Sequence, residues 1–236
     1  MKKQAQLPRP VRKTKVLLID DHPILRAGLA ERINHEADME ICAEAGTAFE
    51  AMQAIAQTNP DVAIVDISLE DSHGLGLIKD IKIQYPKLAM LVFSMHDENL
   101  YAERALHAGA RGYVMKQEAP QTVLNAIRRV LLGDIHLSAD MTRKLLGNIA
   151  GGRQVTQAAT VADELSDREY EVFELIGRGF GTMEIARMLH LSAKTISAHR
   201  QHIKQKLGIP DGAALLRLAI QCITDGDTGH TALPPK

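Results

Sequence analysis

Hydrophobic positions follow two alternating patterns through the first half of the chain. Short apolar runs, several of them rich in β-branched residues, predict strands at residues 15–21, 39–45, 62–66, 88–94 and 112–116. After each run, apolar positions recur at helical spacing, which predicts helices at residues 23–33, 48–57, 75–83, 98–108 and 120–132. Five strand-then-helix units in succession predict a doubly wound α/β domain, in which helices cover both faces of a parallel sheet.

The second half of the chain shows helical periodicity only. Glycines and a stretch rich in Gln, Ala and Thr dilute the helical pattern at 138–149, so residues 133–160 are predicted to form an interdomain linker. Ser166 and Glu169 have the spacing of a capping box, which predicts the start of a helix that runs to residue 176. Further helices are predicted at 184–189, at 192–207 with Ser192 as its cap, and at 212–223.

These patterns divide the chain into five segments. A polar, basic and flexible arm is predicted at residues 1–14, the α/β domain at 15–132, the linker at 133–160, an all-α domain at 161–223 and a tail at 224–236. The tail is rich in Gly, Asp, Thr and Pro, a composition that predicts disorder.

Composition and charge narrow the class of protein. The net charge is −1, so the chain has no overall basic field for nucleic acid, and any such site has to be local. Cys42 and Cys222 lie far apart in apolar runs, which suits a reducing compartment better than a disulfide framework. Since no apolar stretch is long enough for a signal peptide or a membrane span, we expect a cytoplasmic protein without a membrane partner.

Polar side chains end four of the predicted strands. Asp20 and Asp21 follow the first strand, Asp66 ends the third, Ser94 the fourth and Lys116 the fifth. Because the carboxyl ends of parallel strands meet at one edge of a sheet, we expect these side chains to converge. Three clustered carboxylates repel one another, and a hard cation such as Mg²⁺ is the usual means of keeping them ionised.

This set of groups suits phosphoryl transfer. A carboxylate can attack phosphorus and form an acyl phosphate, while a lysine charge and a hydroxyl bind the phosphoryl oxygens. Taken singly, Asp20 or Asp21 is equally explained as a helix cap, and Lys116 as a solvated strand end. Their joint occurrence at the strand ends favours the phosphoryl site over these separate explanations.

Residues 15–132 resemble a response-regulator receiver domain. The resemblance rests on five positions in register, which are the Asp20-Asp21 pair, Asp66, Ser94, Tyr113 and Lys116. It implies a flavodoxin-like fold, a Mg²⁺ ion held by the three aspartates, and a phosphoryl group accepted by Asp66 from a sensor histidine kinase. It also implies that Ser94 is the hydroxyl switch, Tyr113 the aromatic switch and Lys116 the lysine typical of the family. By this resemblance, phosphorylation draws Ser94 in and Tyr113 rotates inward.

Two positions depart from the receiver pattern. Leu69-Glu70 stands where these domains often carry Met-Pro, and Met95 follows Ser94 where a small residue is frequent. The first change makes the loop more acidic, and the second is expected to narrow access to Asp66. Neither change removes a chemical group.

The predicted helix at 192–207 has two unlike faces. Ile196, Ile203 and Leu207 lie on one face, and the opposite face carries Lys194, Ser197, Ala198, Gln201 and Gln205. Glutamine, serine and the alanine methyl group suit base edges, whereas Lys194, Arg200 and Lys204 suit phosphates. Taken alone, the helix is better explained as an ordinary solvated amphipathic helix.

The wider pattern resembles a known DNA-binding domain. The motifs L-S-D-R-E, E-I-A, L-S-A-K-T-I-S-A-H and K-L-G between residues 165 and 208 resemble the LuxR-type helix-turn-helix. Together with the receiver, they resemble the NarL/FixJ class of transcriptional regulators. This resemblance implies binding to double-stranded DNA by a homodimer, with helix 213–220 in the dimer interface. The implied DNA contacts are Lys194, Thr195, Ser197, Ala198, Arg200, Gln201 and Lys204.

The sequence therefore predicts a phosphorylation-controlled transcription factor and not an enzyme. One alternative is a phosphorylation-independent DNA-binding regulator whose receiver serves dimerisation or ligand sensing. Another is an Asp-nucleophile phosphatase on a similar fold. Such phosphatases commonly need a second acid two residues after the nucleophile, and Ser68 occupies that position.

Overall fold

A five-stranded parallel sheet forms the centre of the first unit. The computed structural model describes residues 12–69, 72–150, 161, 164–189 and 191–227. The strands are β1 (Thr14–Ile19), β2 (Met39–Ala45), β3 (Val62–Val65), β4 (Ala89–Ser94) and β5 (Gly112–Met115). Their order in the sheet is β2-β1-β3-β4-β5, with every neighbouring pair parallel. The predicted doubly wound α/β architecture is confirmed.

Helices cover both faces of this sheet. They are α1 (Pro23–Asn34), α2 (Ala48–Thr58), α3 (Gly74–Gln84), α4 (Glu98–Ala108) and α5 (Pro120–Leu131). Successive strand residues point to opposite faces, so Val16 and Leu18 pack with α1 and α5. Leu17 and Ile19 point the other way and pack with α2, α3 and α4. All four side chains are fully buried, which explains why the strands read as continuous apolar runs.

The second half of the described chain is helical. Its helices are α6 (Ala139–Ala150), α7 (Asp167–Gly177), α8 (Thr182–Met188), α9 (Ala193–Lys206) and α10 (Gly212–Asp227). The capping box of Ser166 and Glu169 is confirmed, and the Ser192 side chain caps α9 by accepting a hydrogen bond from Thr195 N. Helix α7 packs against α9 and α10, so one buried core holds the unit together.

Three segments differ from the predicted plan. Within the predicted linker, α6 forms because the Ser138 hydroxyl accepts from Met141 N and the Met141 side chain is buried. At the predicted tail, α10 continues to Asp227, with the Thr224 hydroxyl donating to Ile220 O. Thr14, predicted in the arm, begins β1. The predictions for residues 1–11, 151–160 and 228–236 lie outside the described residues.

The chain after α5 pairs with the edge of the sheet. Tyr113 N donates to His136 O at 2.9 Å, and His136 N donates to Arg111 O at 2.9 Å. A β-carbon at Gly112 would lie 2.9 Å from His136 O, so this close approach requires glycine. The segment that leads to α6 is therefore attached to β5.

The helical unit packs against the first unit through α7 and α10. Asp167 at the start of α7 accepts from Lys79 Nζ at 2.7 Å, and Arg104 on α4 also binds this carboxylate. The Tyr101 and Tyr170 rings meet edge to face with their centroids 5.6 Å apart. This interface includes the loops that follow β3 and β4. Within the described ranges, no helix combines the length and apolar character needed to cross a bilayer.

Candidate acidic site and helix-turn-helix surface

Asp20 and Asp66 lie side by side at the carboxyl edge of the sheet. The register of β1 and β3 pairs Ile19 with Val65, so the next residue of each strand is an aspartate. Asp66 N donates to Ile19 O at 2.9 Å, which fixes the backbone at this point. Both carboxylates are buried, as the predicted convergence at this edge requires.

Lys116 links the two carboxylates. Its ammonium nitrogen lies 2.7 Å from Asp20 Oδ2 and 2.7 Å from Asp66 Oδ2, and its side chain is 1% exposed. Burial raises the pKa of Asp66, and the attraction of Lys116 only partly offsets this effect. Burial works to lower the pKa of Lys116, but Asp66 and Asp20 outweigh it and the pKa is raised. One buried cation thus stabilises the charge of two carboxylates.

The acidic cluster has a donor set suited to a hard cation. Asp20, Asp21, His22 and Asp66 each offer one ligand atom within 4.8 Å of the others. Three of these residues are carboxylates, the oxygen donors that Mg²⁺ prefers. Asp21 and His22 are partly exposed, so the cluster is open to solvent on that side. The residues present therefore fit the predicted ion.

His22 is a member of this cluster that the sequence predictions missed. Its backbone N donates to Asp20 Oδ1 at 2.8 Å, and its Nδ1 lies 2.6 Å from Asp21 Oδ1. The backbone hydrogen bond orients Asp20, and the imidazole lies beside Asp21. Its place directly after the Asp20-Asp21 pair is the signal that points to it.

The two residues predicted as switches are both buried and both contact the backbone of His96. Ser94 Oγ accepts from His96 N at 3.3 Å, and the Tyr113 hydroxyl donates to His96 O at 2.9 Å. Burial raises the pKa of Tyr113 well above its ordinary value. The Tyr113 side chain already lies in the inward position that was predicted for it after phosphorylation. Met95, predicted to narrow access to Asp66, has a largely exposed side chain, and Glu70 lies outside the described residues.

Side chains from the helical unit reach the loops beside Asp66. Ser68 N donates to Asp66 Oδ1 at 3.4 Å, and Ser68 Oγ donates to Glu171 Oε1 at 3.4 Å. His96 Nε2 lies 2.8 Å from the same hydroxyl. No sequence signal predicts these contacts, because Glu171 is 103 positions from Ser68 and the two meet only through domain packing.

Helix α9 has the two faces that its sequence predicts. Ile196 and Ile203 are buried against the rest of the helical unit, whereas the Lys194, Ser197, Ala198 and Gln201 side chains are exposed. Thr195, Arg200 and Lys204 are half-buried. The face proposed to read bases is therefore open while the two units are packed together.

Polar and basic groups of α9 border a shallow cavity. This cavity of about 180 Å³ is lined by Thr182, Ser197, Arg200, Gln201, Lys204, Gly212 and Leu215. Lys206, by contrast, donates to Glu169 Oε2 at 2.6 Å, so its charge is paired within the helical unit. Arg200 and Lys204 are thus placed beside the exposed polar face, where phosphate contacts suit them.

Two protein families match separate parts of the chain. The family described as "Response regulator receiver domain" matches residues 16–128, and the one described as "Bacterial regulatory proteins, luxR family" matches residues 163–219. The chain is 34% identical to the oxygen regulatory protein NreC of Staphylococcus carnosus over 211 residues, which cover 88% of this chain and 97% of that protein. It is 32% identical over 212 residues to NreC of Staphylococcus epidermidis, with the same coverage of both chains.

Solved structures of response regulators match this chain over different shares of its length. RcsB from Salmonella enterica serovar Typhimurium, bound to promoter P1flhDC in the presence of phosphomimetic BeF3−, matches with a TM-score of 0.59 and 28% identity. The match covers 89% of this chain and 100% of that one. A LuxR-family two-component response regulator from Aurantimonas matches with a TM-score of 0.55 and 30% identity, over 59% of this chain and 99% of its own.

Proposed function

Because this chain belongs to the NarL/FixJ class of two-component response regulators, with a receiver domain joined to a LuxR-type helix-turn-helix domain, we propose that phosphorylation of Asp66 controls its binding to DNA. The observation that carries this proposal is the placement of Lys116 between Asp20 and Asp66 at the edge of the sheet. Asp66 is the phosphoacceptor in this proposal, and Ser94 and Tyr113 are the switch residues.

The chemistry follows from the contacts of the two Asp66 oxygens. Lys116 binds Oδ2 at 2.7 Å, whereas Oδ1 accepts a longer hydrogen bond of 3.4 Å from Ser68 N. Oδ1 is therefore the oxygen better placed to attack phosphorus. Its bond to phosphorus forms as the bond from phosphorus to the histidine nitrogen of the kinase breaks, and the electron pair of that bond stays with the nitrogen. Lys116 and the Ser94 hydroxyl then bind oxygens of the transferred group.

Asp20, Asp21 and Asp66 are the residues that would hold Mg²⁺. When bound, the ion supplies positive charge close to the phosphoryl oxygens. His22 contributes by holding the Asp20 carboxylate in place through its backbone N.

The proposed partners are a sensor histidine kinase, double-stranded DNA and a second copy of this chain. Ile24 is 88% exposed at the start of α1, close to the acidic edge, and it offers the kinase an apolar contact. Leu216 and Ile220 are exposed large hydrophobic side chains on α10, which supports a homodimer through that helix. We place the protein in the cytoplasm, where DNA and a kinase phosphodonor are both present and where a reducing environment suits the widely spaced Cys42 and Cys222.

We expect a phosphoryl adduct on the wild-type chain and none on Asp66→Asn. The amide nitrogen replaces one carboxylate oxygen and removes the nucleophile while keeping the side-chain shape. Each protein is incubated with Mg²⁺ and an acyl phosphate, and intact mass and sedimentation are measured. Asp80→Asn, which removes an exposed acid of α3, is the matched control and should form the adduct with a shift toward dimer.

The same experiment separates the alternatives. An adduct that persists in Asp66→Asn would reject Asp66 as the acceptor. If the wild type forms none beside a receiver that does, the phosphorylation-independent regulator is the correct description. Turnover of a small phosphomonoester would favour the phosphatase, although Ser68 stands where its general acid is needed.

We expect Gln201→Ala and Lys194→Ala to weaken DNA binding in different ways. Loss of a base contact at Gln201 should reduce discrimination at one base pair by about 1–3 kcal/mol. Loss of a phosphate contact at Lys194 should weaken binding to all sequences and lower the slope of log affinity against log salt by about 1. Fluorescence anisotropy is measured over a salt series, with a duplex selected from a random pool and with a scrambled duplex.

Lys144→Ala is the control for this comparison, because Lys144 is an exposed lysine on α6 outside the helix-turn-helix. It should bind like the wild type. If Gln201→Ala lost the same affinity for the selected and the scrambled duplex, a base-reading role for Gln201 would be contradicted. An unchanged salt slope for Lys194→Ala would contradict its phosphate contact.

A further inference from the structure

Two buried glutamates of the helical unit face the receiver domain. The side chains of Glu171 and Glu174 on α7 are 0% and 2% exposed. Arg168 Nη1 lies 2.6 Å from Glu171 Oε2, and Arg178 binds Glu174 Oε1, so one oxygen of each acid is paired within the helical unit. The other two oxygens, Glu171 Oε1 and Glu174 Oε2, are directed at the interface. A buried carboxylate needs a compensating cation or hydrogen bonds on this side also.

His96 of the receiver lies between these two oxygens. Its Nε2 is 3.6 Å from Glu171 Oε1, and its Nδ1 is 3.6 Å from Glu174 Oε2. Within the part of the chain that is described, Glu174 Oε2 has no hydrogen-bond partner, so the charge of an imidazolium is what can compensate it. The ring is itself largely buried, which excludes most of the water that would otherwise weaken the attraction.

The hydrogen bonds around Ser68 favour a proton on Nε2. A hydroxyl has one hydrogen, and Ser68 Oγ donates it to Glu171 Oε1 at 3.4 Å. The same oxygen lies 2.8 Å from His96 Nε2, and in this arrangement it accepts a hydrogen from that nitrogen. The charge of Glu174 Oε2, 3.6 Å from Nδ1, favours a second proton on Nδ1. Both ring nitrogens carry hydrogen only in the charged imidazolium.

We propose that His96, held between Glu171 and Glu174, forms a proton-dependent latch, so that docking of the helical unit on the receiver takes up one proton and weakens as the solution becomes alkaline. The latch residues are His96, Glu171 and Glu174. The latch adjoins the phosphorylation edge, because Ser68 contacts both Asp66 and Glu171. It rests on docking alone, and it therefore holds whether or not Asp66 accepts a phosphoryl group.

Of the titratable groups in this interface, His96 is the one that takes up the proton on docking. Several other titratable or charged side chains face His96, Glu171 or Glu174. On the receiver they are His73 before α3, Tyr101 on α4 and Tyr113 on β5. On the helical unit they are Tyr170, Arg168 and Arg178. Burial lowers the pKa of His73 to about 4, so this imidazole, 3.9 Å from Glu171, is neutral at neutral pH. Burial raises the pKa of Tyr101 and that of Tyr170 well above the ordinary value of a tyrosine.

The direction of the pH effect follows from the change in His96 on docking. Burial alone would lower the pKa of His96, but Glu171 and Glu174 outweigh it and raise the pKa to about 9. In the undocked receiver the pKa of the His96 imidazole returns toward its ordinary value of about 6.5. The proton's contribution to docking is therefore complete below about pH 6.5 and is lost as the pH rises through about 9. Between these limits the docking constant should fall about tenfold per pH unit.

The test measures docking of the full chain without phosphodonor or DNA, so failure of phosphorylation leaves its result intact. The sedimentation coefficient of the monomer is recorded from pH 6 to pH 9.5 in EDTA, which removes any bound metal. The wild type should sediment as a compact particle at low pH and more slowly as the pH rises. His107→Gln, which alters an exposed histidine at the end of α4, is the matched control and should follow the wild type.

His96→Gln should sediment slowly at every pH, with the pH dependence removed, while its circular dichroism shows both units folded. Glu174→Gln keeps the ring and the shape of the acid, and should shift the transition to lower pH. A wild-type sedimentation coefficient that is constant from pH 6 to pH 9.5 would overturn the latch. So would an unchanged pH dependence in His96→Gln, because a group other than His96 would then be its source.

Discussion

Replacing Lys116 by methionine should lower the free energy of unfolding of the receiver by about 3–5 kcal/mol in EDTA. The ammonium group lies 2.7 Å from both Asp20 and Asp66, and all three side chains are buried. Methionine keeps most of the side-chain volume but leaves two neighbouring carboxylates without their cation. Their repulsion and their burial are then uncompensated, which is the costliest way to break a buried ion pair.

Urea unfolding followed by circular dichroism measures this change. Lys87→Met serves as the control, because Lys87 is exposed in the loop before β4 and should alter stability by less than about 0.5 kcal/mol. Mg²⁺ should restore part of the stability of Lys116→Met, since a divalent cation on the same carboxylates replaces the missing charge. If the loss is below about 1 kcal/mol, Lys116 does not hold this cluster together.

Gly74→Ala should destabilise the receiver by about 3 kcal/mol, at the upper end of what overpacking costs. A β-carbon on Gly74 would lie 2.0 Å from Asp66 O and 2.8 Å from Ile67 Cα. Both are backbone atoms that cannot rotate away, and Gly74 N also donates to Ile67 O at 2.7 Å. The start of α3 would have to move away from β3, and Asp66 would be displaced with it.

Gly76→Ala on the same helix provides the matched comparison. A β-carbon at this position would have no atom outside its own helix backbone within 4 Å, and alanine is favoured over glycine inside a helix by about 0.5–1 kcal/mol. This variant should therefore be slightly more stable than the wild type. Thermal and urea unfolding should therefore show changes in stability of opposite sign for Gly74→Ala and Gly76→Ala, each relative to the wild type. Equal changes for both would mean that the contact with Asp66 does not decide the stability.

The parts of the site that are predictable from the sequence depend on strand ends. Asp20, Asp66 and Lys116 each follow an apolar run, and parallel strands bring such positions together whatever the loops do. The two faces of α9 are predictable for a similar reason, since helical spacing alone separates Ile196 from Gln201.

Other features depend on contacts that no local pattern contains. His96 meets Glu171 and Glu174 only because α7 packs against the receiver. Helix α6 is stabilised by burial of Met141, whereas in the sequence glycines and the Gln, Ala and Thr residues that follow dilute its helical pattern. The position of Tyr113 is likewise set by packing and by one hydrogen bond to His96 O. Tertiary contact outweighs local propensity in each case.

The pairing of His136 with β5 has a consequence for the behaviour of the protein at high concentration. A strand at the edge of a sheet exposes unpaired backbone groups, which another molecule can use to add a strand and begin aggregation. Here Arg111 O and Tyr113 N are already bonded to His136. The segment that connects the two domains thus also shields one side of the sheet from intermolecular strand addition, and cleavage of the chain there would expose an edge prone to self-association.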